Sequence, residues 1–243
     1  MSETSHNTET AARHVHGKQR RSPSQASPLL PPWGIEIIRR VLRPGSRLLW
    51  KMDFHGVKHI PPMTGGGLII ASNHQTYFDP FWISIPIKRP TRYLAWNEAL
   101  KLPLLGKTLE SLGAWPLQLE GGDPAAIRRS LQWLREGGAL LIFPEGARAR
   151  ADGEMGRFKP GAARIALEAN VPILPVTIRG ANRVWPRGGR VPHLGKVEIV
   201  YHPLQTVALR EGEDARACAR RVSLDLSKTI GDALHTQTSL DKD

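Results

Sequence analysis

The sequence predicts an α/β fold: a single domain with a central mixed, largely parallel sheet flanked by helices, preceded by an N-terminal amphipathic helical pair. Three observations predict it. Apolar runs of strand length alternate with segments of helical spacing. Asp, Pro and Gly punctuate nearly every junction between them. A chain of 243 residues suffices for one sizeable core and does not require two.

Residues 1–32 are rich in Ser, Thr, His, Arg and Pro and lack the apolar stretch of a signal peptide, so they are expected to form a disordered tail. Residues 33–52 interleave Trp33, Ile35, Ile37, Ile38, Val41, Leu42, Leu48, Leu49 and Trp50 with Arg39, Arg40, Arg43, Arg47 and Lys51. Pro44-Gly45 breaks the middle, which predicts two short helices. Two readings fit their cationic faces and terminal Trp residues: an interfacial membrane anchor, or a helical pair packed on its own domain with Arg facing water. Residues 53–243 form the domain proper. Gly67 to Ala71 is a buried strand, and Asp79-Pro80 opens a helix, Asp as N-cap and Pro at the first helical position. Thr91 to Ala95 is a short strand. Asp123-Pro124 opens a helix with Ile127, Leu131 and Leu134 on one face, stopped by Gly137-Gly138. Ala139 to Phe143 is a buried strand, Lys159-Pro160-Gly161 leads into a helix through Ala169, and Val171 to Ile178 is a further strand. Lys196 to Tyr201 alternates as a strand does, and Asp214 to Leu234 carries Ala215, Cys218, Val222, Leu226, Ile230 and Leu234 at helical spacing.

The net charge of +12 favours an anionic partner such as nucleic acid, an acidic membrane surface or a phosphorylated substrate. No helix-turn-helix, zinc-finger or aromatic RNA-binding signature accompanies it, so nucleic acid is not expected. The lone Cys218 excludes an internal disulfide, fits a reducing compartment and sits where a small buried side chain belongs. No apolar run approaches the eighteen or so residues of a membrane span, so any membrane action is expected to be peripheral.

Two segments carry chemistry. The first is Asn73-His74-Gln75-Thr76-Tyr77-Phe78-Asp79, just beyond a strand. A strand-loop-helix junction can set Asp79 against one imidazole nitrogen of His74, fixing the tautomer and leaving the other nitrogen to take a proton. No G-x-S-x-G or comparable nucleophile motif is present, so His74 is expected to deprotonate a substrate hydroxyl directly. The bland alternative makes Asp79 only a helix cap. The second segment, Phe143-Pro144-Glu145-Gly146-Ala147-Arg148, ends a strand at the sheet edge where ligands bind in open α/β folds. Gly146 permits a tight turn, Arg148 can fork onto a phosphate, and Lys159 stands just before a helix N-terminus. The alternative here is a solvated basic loop with Glu145 paired to Arg148.

Together the two segments resemble the glycerophosphate/lysophosphatidic acid acyltransferase family, the 1-acylglycerol-3-phosphate O-acyltransferases and their relatives. The resemblance spans Asp53 to Pro203 in four ordered blocks. Asn73 to Asp79 matches the family's NHx4D block. Asn97 to Pro116 is similar to the second, with Glu98, Pro103, Gly106 and Gly113 in place. Phe143 to Arg148 matches the FPEGxR block, followed by Phe158-Lys159-Pro160-Gly161, and Val171 to Val176 matches the apolar fourth. The resemblance implies transfer of an acyl chain from acyl-CoA or acyl carrier protein to a lyso-lipid hydroxyl, 1-acylglycerol-3-phosphate first among acceptors. His74 would be the base and Asp79 its orienter, and Glu145, Gly146, Arg148 and Lys159 would bind the acceptor. It implies no metal or prosthetic group, an anionic membrane surface as partner and a peripheral place on its cytoplasmic side. Two family cations are replaced, by Trp96 and by Leu119 in Gln118-Leu119. The phosphate site is therefore expected to be reduced, which opens a different head group, such as that of a lyso-ornithine lipid, or a non-catalytic lipid-binding module. Arg179, Arg183, Arg187 and Arg190 would either replace the missing charge or, with Trp185 in an interfacial loop, face anionic lipid.

Overall fold

The computed structural model describes residues 30–96, 107, 109–118, 123–150 and 152–236. The expected tail falls outside the described residues up to position 29, as do Glu98, Pro103 and Gly106 of the second block, the side chain of Trp96, and Leu119.

Seven strands form one sheet: β1 (Asp53–His55), β2 (Leu68–Ser72), β3 (Thr91–Trp96), β4 (Ala114–Leu117), β5 (Ala139–Ile142), β6 (Ile173–Arg179) and β7 (Glu198–Tyr201). Their spatial order is β1-β7-β6-β2-β5-β3-β4. Every pairing is parallel except β6 with β7, so the sheet is mixed and largely parallel, as expected. β2 and β6 lie at its centre and are buried at every position. That explains why both read as continuous apolar runs rather than alternating ones. The pleat divides β2 between two cores. Leu68 and Ile70 pack on one face with Trp82, Ile83 and Val184. Ile69 and Ala71 pack on the other with Leu134, Ala163, Val222 and Leu226.

The second face is covered by α3 (Pro124–Arg135), α4 (Gly161–Ala169) and α6 (Ala215–His235). Asp123 and Asp214 cap their helices by accepting from the N–H groups of Ala126 and Ala217. Past α3, Gly137 takes a left-handed conformation at φ 84° and turns the chain into β5. Cys218 is buried in α6, with Sγ toward the Ala208 carbonyl. The first face carries two short helices, α2 (Asp79–Ser84) and α5 (Ala181–Val184), both at the sheet edge where β2 and β6 end.

The N-terminal helical pair is corrected by the structure. Pro32 to Trp50 is one helix, α1, that continues through Pro44. An internal proline removes one hydrogen bond and crowds a carbonyl, but packing beyond it can hold the helix together. Here Ser46 is buried, and Trp50 packs on Phe78 and Trp82 at centroid distances of 5.4 and 5.1 Å. Two short strands, β1 and β4, were also not anticipated. Each pairs at one edge of the sheet, Asp53 opposite Glu198 and Ala114 opposite Tyr93.

Candidate functional site

The site forms where β2, β5 and β6, parallel neighbours, end at the same edge. Chain leaving β2 is fastened to β6 by Asn73. Its side-chain amide donates to the Ile178 carbonyl at 2.9 Å and its Oδ1 accepts from the Ile178 N–H at 2.8 Å. This is the same pair of bonds a strand residue would make, so the loop begins with its backbone already aligned. His74 follows, its ring stacked on Phe143 from the end of β5 at 3.9 Å and 15°.

His74 Nδ1 lies 2.8 Å from Asp79 Oδ2. A carboxylate only accepts, so Nδ1 carries the hydrogen and Nε2 is the basic nitrogen. Asp79 is fully buried and saturated. Its Oδ2 also accepts from the N–H groups of Gln75 and Thr76 at 2.6 and 2.8 Å, and its Oδ1 from the Thr76 hydroxyl at 2.6 Å. These bonds correct the expected N-cap. Asp79 is the first residue of α2, Phe78 occupies the cap position, and every donor to the carboxylate precedes it in sequence. The side chain turns back to wrap the histidine loop because the donors there include a ring nitrogen and two otherwise orphaned amides, whereas Pro80 supplies none.

The glutamate loop grips the same segment from the other side. Glu145 Oε1 accepts from the His74 N–H at 2.7 Å and Oε2 from the Gly156 N–H at 2.6 Å. Burial raises the pKa of this carboxyl, while its two backbone hydrogen bonds and the nearby His74 lower it. Ala149 N–H donates to the His74 carbonyl at 2.6 Å, so both backbone polar groups of His74 are held by the second loop. Glu145 is thus turned toward backbone rather than toward Arg148. Gly146 sits at φ 72°, and a Cβ there would fall 2.8 Å from Lys159 Nζ, so the glycine both makes the turn and lets the ammonium lie across it.

Arg148 is directed to Tyr77. Its guanidinium carbon lies 3.7 Å from the Tyr77 ring centroid, and Nη2 donates to the phenol oxygen at 3.0 Å. Tyr77 is largely exposed, Lys159 is exposed, and Arg187 donates to the Arg148 carbonyl at 3.4 Å. Cationic groups therefore ring the mouth of the His74 junction. Arg179 is not among them: it is buried, faces Glu198 at 3.4 Å and donates to the Thr236 carbonyl at 2.8 Å. Its place inside the buried strand β6 explains the correction. Arg183, Arg187 and Arg190 are exposed. Trp185 packs at 5.4 Å from Tyr77 and 5.1 Å from Phe78, extending an aromatic cluster that reaches Trp82 and Trp50.

The structure therefore brings His74, Asp79, Glu145, Gly146, Arg148 and Lys159 to one edge of the sheet. Sequence reasoning passed over Asn73, Thr76, Tyr77 and Phe143 as individual residues. They lay inside the quoted motifs, yet their roles depend on contacts with distant strands. Asp53, His55 and Glu198 also bring ligand-capable atoms within 4.8 Å of one another, but Arg179 and Lys196 flank Glu198 at 3.4 and 3.9 Å, surroundings that disfavour a cation.

A family model described as Acyltransferase matches residues 51–179. The chain is 27% identical over 158 residues to the chloroplastic 1-acyl-sn-glycerol-3-phosphate acyltransferase of Brassica napus, covering 63% of this chain and 44% of that one. It is 28% identical over 190 residues to a 1-acyl-sn-glycerol-3-phosphate acyltransferase of Pseudomonas aeruginosa, covering 75% of this chain and 70% of that one. The match spans less than half the length of the Brassica napus and Arabidopsis thaliana relatives. The crystal structure of the 1-acyl-sn-glycerophosphate (LPA) acyltransferase PlsC from Thermotoga maritima superposes with a TM-score of 0.66 at 22% identity, covering 84% of this chain and 81% of that one, a likeness of fold.

Proposed function

This chain belongs to the acyltransferase family, and from that premise we propose that it moves a fatty acyl chain from acyl-CoA or acyl carrier protein to a lyso-lipid hydroxyl, converting 1-acylglycerol-3-phosphate to phosphatidic acid. The observation that carries this reading is the 2.8 Å bond from His74 Nδ1 to a buried, fully hydrogen-bonded Asp79. His74 Nε2 takes the proton of the acceptor hydroxyl as its oxygen attacks the thioester carbon. The tetrahedral intermediate collapses, the carbon–sulfur bond breaks, and the imidazolium returns the proton to the departing thiolate. Asp79 holds the ring in place and stabilises its charged form. Glu145 and Asn73 fix the backbone that carries His74, while Arg148 and Lys159 supply the charge that holds the acceptor's phosphate.

Membrane lipids present such acceptors at a surface, and no described helix is long and apolar enough to cross a membrane. We place the protein peripherally on the cytoplasmic face, with α1 as its contact. Trp33, Ile37, Val41 and Leu48 on α1 are exposed among arginines, which suits the boundary between head groups and acyl chains.

A second reading keeps the chemistry and changes the head group. It is favoured by Arg179, which is engaged with Glu198 and so does not replace the family cations absent at Trp96 and Leu119. The deciding experiment supplies purified wild type and His74→Ala with both donors and a mixture of lysophosphatidic acid, lyso-ornithine lipid and other lyso-lipids, read by lipid mass spectrometry. A His74-dependent phosphatidic acid product is expected. A His74-dependent product on another head group selects the second reading, and the absence of any His74-dependent product overturns both in favour of a binding module.

A further inference from the structure

We infer that the loop between α5 and β7 is a second lipid-contacting element, separate from α1, that presses the mouth of the His74 junction against an anionic bilayer. The inference rests on the membrane-lipid reading above. From Ala181 to Val197 the chain carries Arg183, Arg187, Arg190 and Lys196 and no Asp or Glu. Beside those charges Val191 is 60% exposed and Leu194 is 76% exposed. A branched aliphatic pair left in water among exposed arginines is the composition of a segment that rests at a head-group boundary. The cationic sign selects an anionic surface over a neutral one.

The loop is also held in place. Trp185 Nε1 donates to the Gly189 carbonyl at 2.8 Å, closing its first turn, and the His193 N–H donates to the Val184 carbonyl at 2.7 Å, closing the second half. Trp50 Nε1, at the end of α1, donates to the His193 carbonyl at 3.0 Å. This sets Leu194 next to the helix end that exposes Leu48 at 83%. Both elements border the site. Trp185 touches Tyr77, which carries Arg148, and Trp50 touches Phe78, one residue before Asp79. An acceptor lipid lifted from a bilayer beneath this face meets the cations first and His74 behind them.

The test uses the full chain with α1 intact. Val191→Ser/Leu194→Ser and Arg190→Ser are compared with wild type for partition onto phosphatidylcholine vesicles, with and without a minority of phosphatidylglycerol, and for turnover of a lyso-lipid acceptor dispersed in detergent. The double variant is expected to lose about tenfold in partition onto anionic vesicles. Arg190→Ser is expected to lose roughly fivefold, on anionic vesicles alone, the factor one cation near such a surface contributes. Turnover in detergent stays at the wild-type level for both. Wild-type partition by both variants overturns the inference. So does unchanged partition joined to a loss of carrier-protein-dependent turnover, which would assign the loop to an acidic protein donor. Absence of wild-type turnover in detergent sinks the acyl-transfer reading while leaving the partition result to stand by itself.

Discussion

Glu145 Oε1 accepts the backbone N–H of His74 at 2.7 Å across 71 residues of chain. The residue that family resemblance assigns to the acceptor is therefore built into the support of the proposed base. The second motif holds the first, and the two behave as one unit rather than as separate catalytic and binding segments.

Glu145→Gln separates these roles. The amide retains one acceptor and turns a donor toward an N–H, so one of the two backbone bonds is lost in a buried setting. Misplacing a catalytic group by about 1 Å costs on the order of 10²-fold. We expect kcat to fall 10- to 100-fold, on the order set by that geometric sensitivity, with KM for the acceptor nearly unchanged. A raised KM at normal kcat would return Glu145 to acceptor binding.

Asp79→Asn replaces an acceptor that receives four donors by a group that itself donates. His74 then loses its tautomer and part of its loop. The expected result is a loss of about 10²–10⁴ in kcat, comparable to His74→Ala. Circular dichroism should show the sheet intact in both. Retention of most activity by either variant would rule out the proposed base.

Arg148 and Lys159 are assigned to the acceptor's phosphate. Removing one charge-assisted hydrogen bond costs about 1.5–3 kcal/mol, so Arg148→Ala should raise KM for lysophosphatidic acid roughly 10- to 150-fold at little change in kcat, by that same range. Tyr77→Ala leaves the guanidinium itself in place and removes its ring contact, worth about 0.5–2 kcal/mol, together with the phenol oxygen it donates to, and should raise KM less. Steady-state kinetics on acceptors with and without a phosphate checks both, and an equal effect on the two acceptors would remove Arg148 from phosphate recognition.

Asn73→Ala strips partners from both backbone groups of Ile178. Buried polar groups left unsatisfied cost about 1–3 kcal/mol each. A drop of several degrees in the thermal midpoint is expected, accompanied by lower kcat because the same loop carries His74. An unchanged midpoint would mean the clamp contributes nothing to the fold.

His202 supplies a pH dependence away from the site. Burial, then the nearby His59 and Arg179, hold its pKa below the ordinary 6.5, and Nε2 lies 2.8 Å from Thr177 Oγ1. The native state therefore binds fewer protons than the unfolded chain in the window below 6.5. Its stability contribution is present above that pH and is lost as pH falls toward the lowered native value. Denaturant titrations across this window should show His202→Gln flattening the slope; an identical slope would exclude the residue.

Much of the fold was legible because physical constraints were local. β2, β5 and β6 are short apolar runs bounded by turn residues, and Asp123 and Asp214 announce helices through hydrogen bonds three residues away. What was not legible depends on distant partners. α1 runs through Pro44 because Trp50 finds Phe78 and Trp82. Arg179 is buried because β6 is central and Glu198 lies on the adjacent strand. The His74–Asp79 pair could be read from a spacing of five, whereas the tasks of Asn73 and Glu145 required knowing which strands lie side by side.

Ala71 stands opposite Ile142 on adjacent parallel strands, so the histidine and glutamate loops leave the sheet from a single rung, about 4.8 Å apart. The chain between these partners, 71 positions apart, forms a closed excursion that returns to its starting point. Lengthening an exposed turn within that excursion leaves the junction where it is as long as β5 keeps its register against β2, whereas one residue inserted between His74 and Asp79 would open it. The interval between the motifs is thus a free variable of the architecture and the interval within the first is a fixed one, so a distant relative is better recognised by the inner spacing than by the separation of the two motifs.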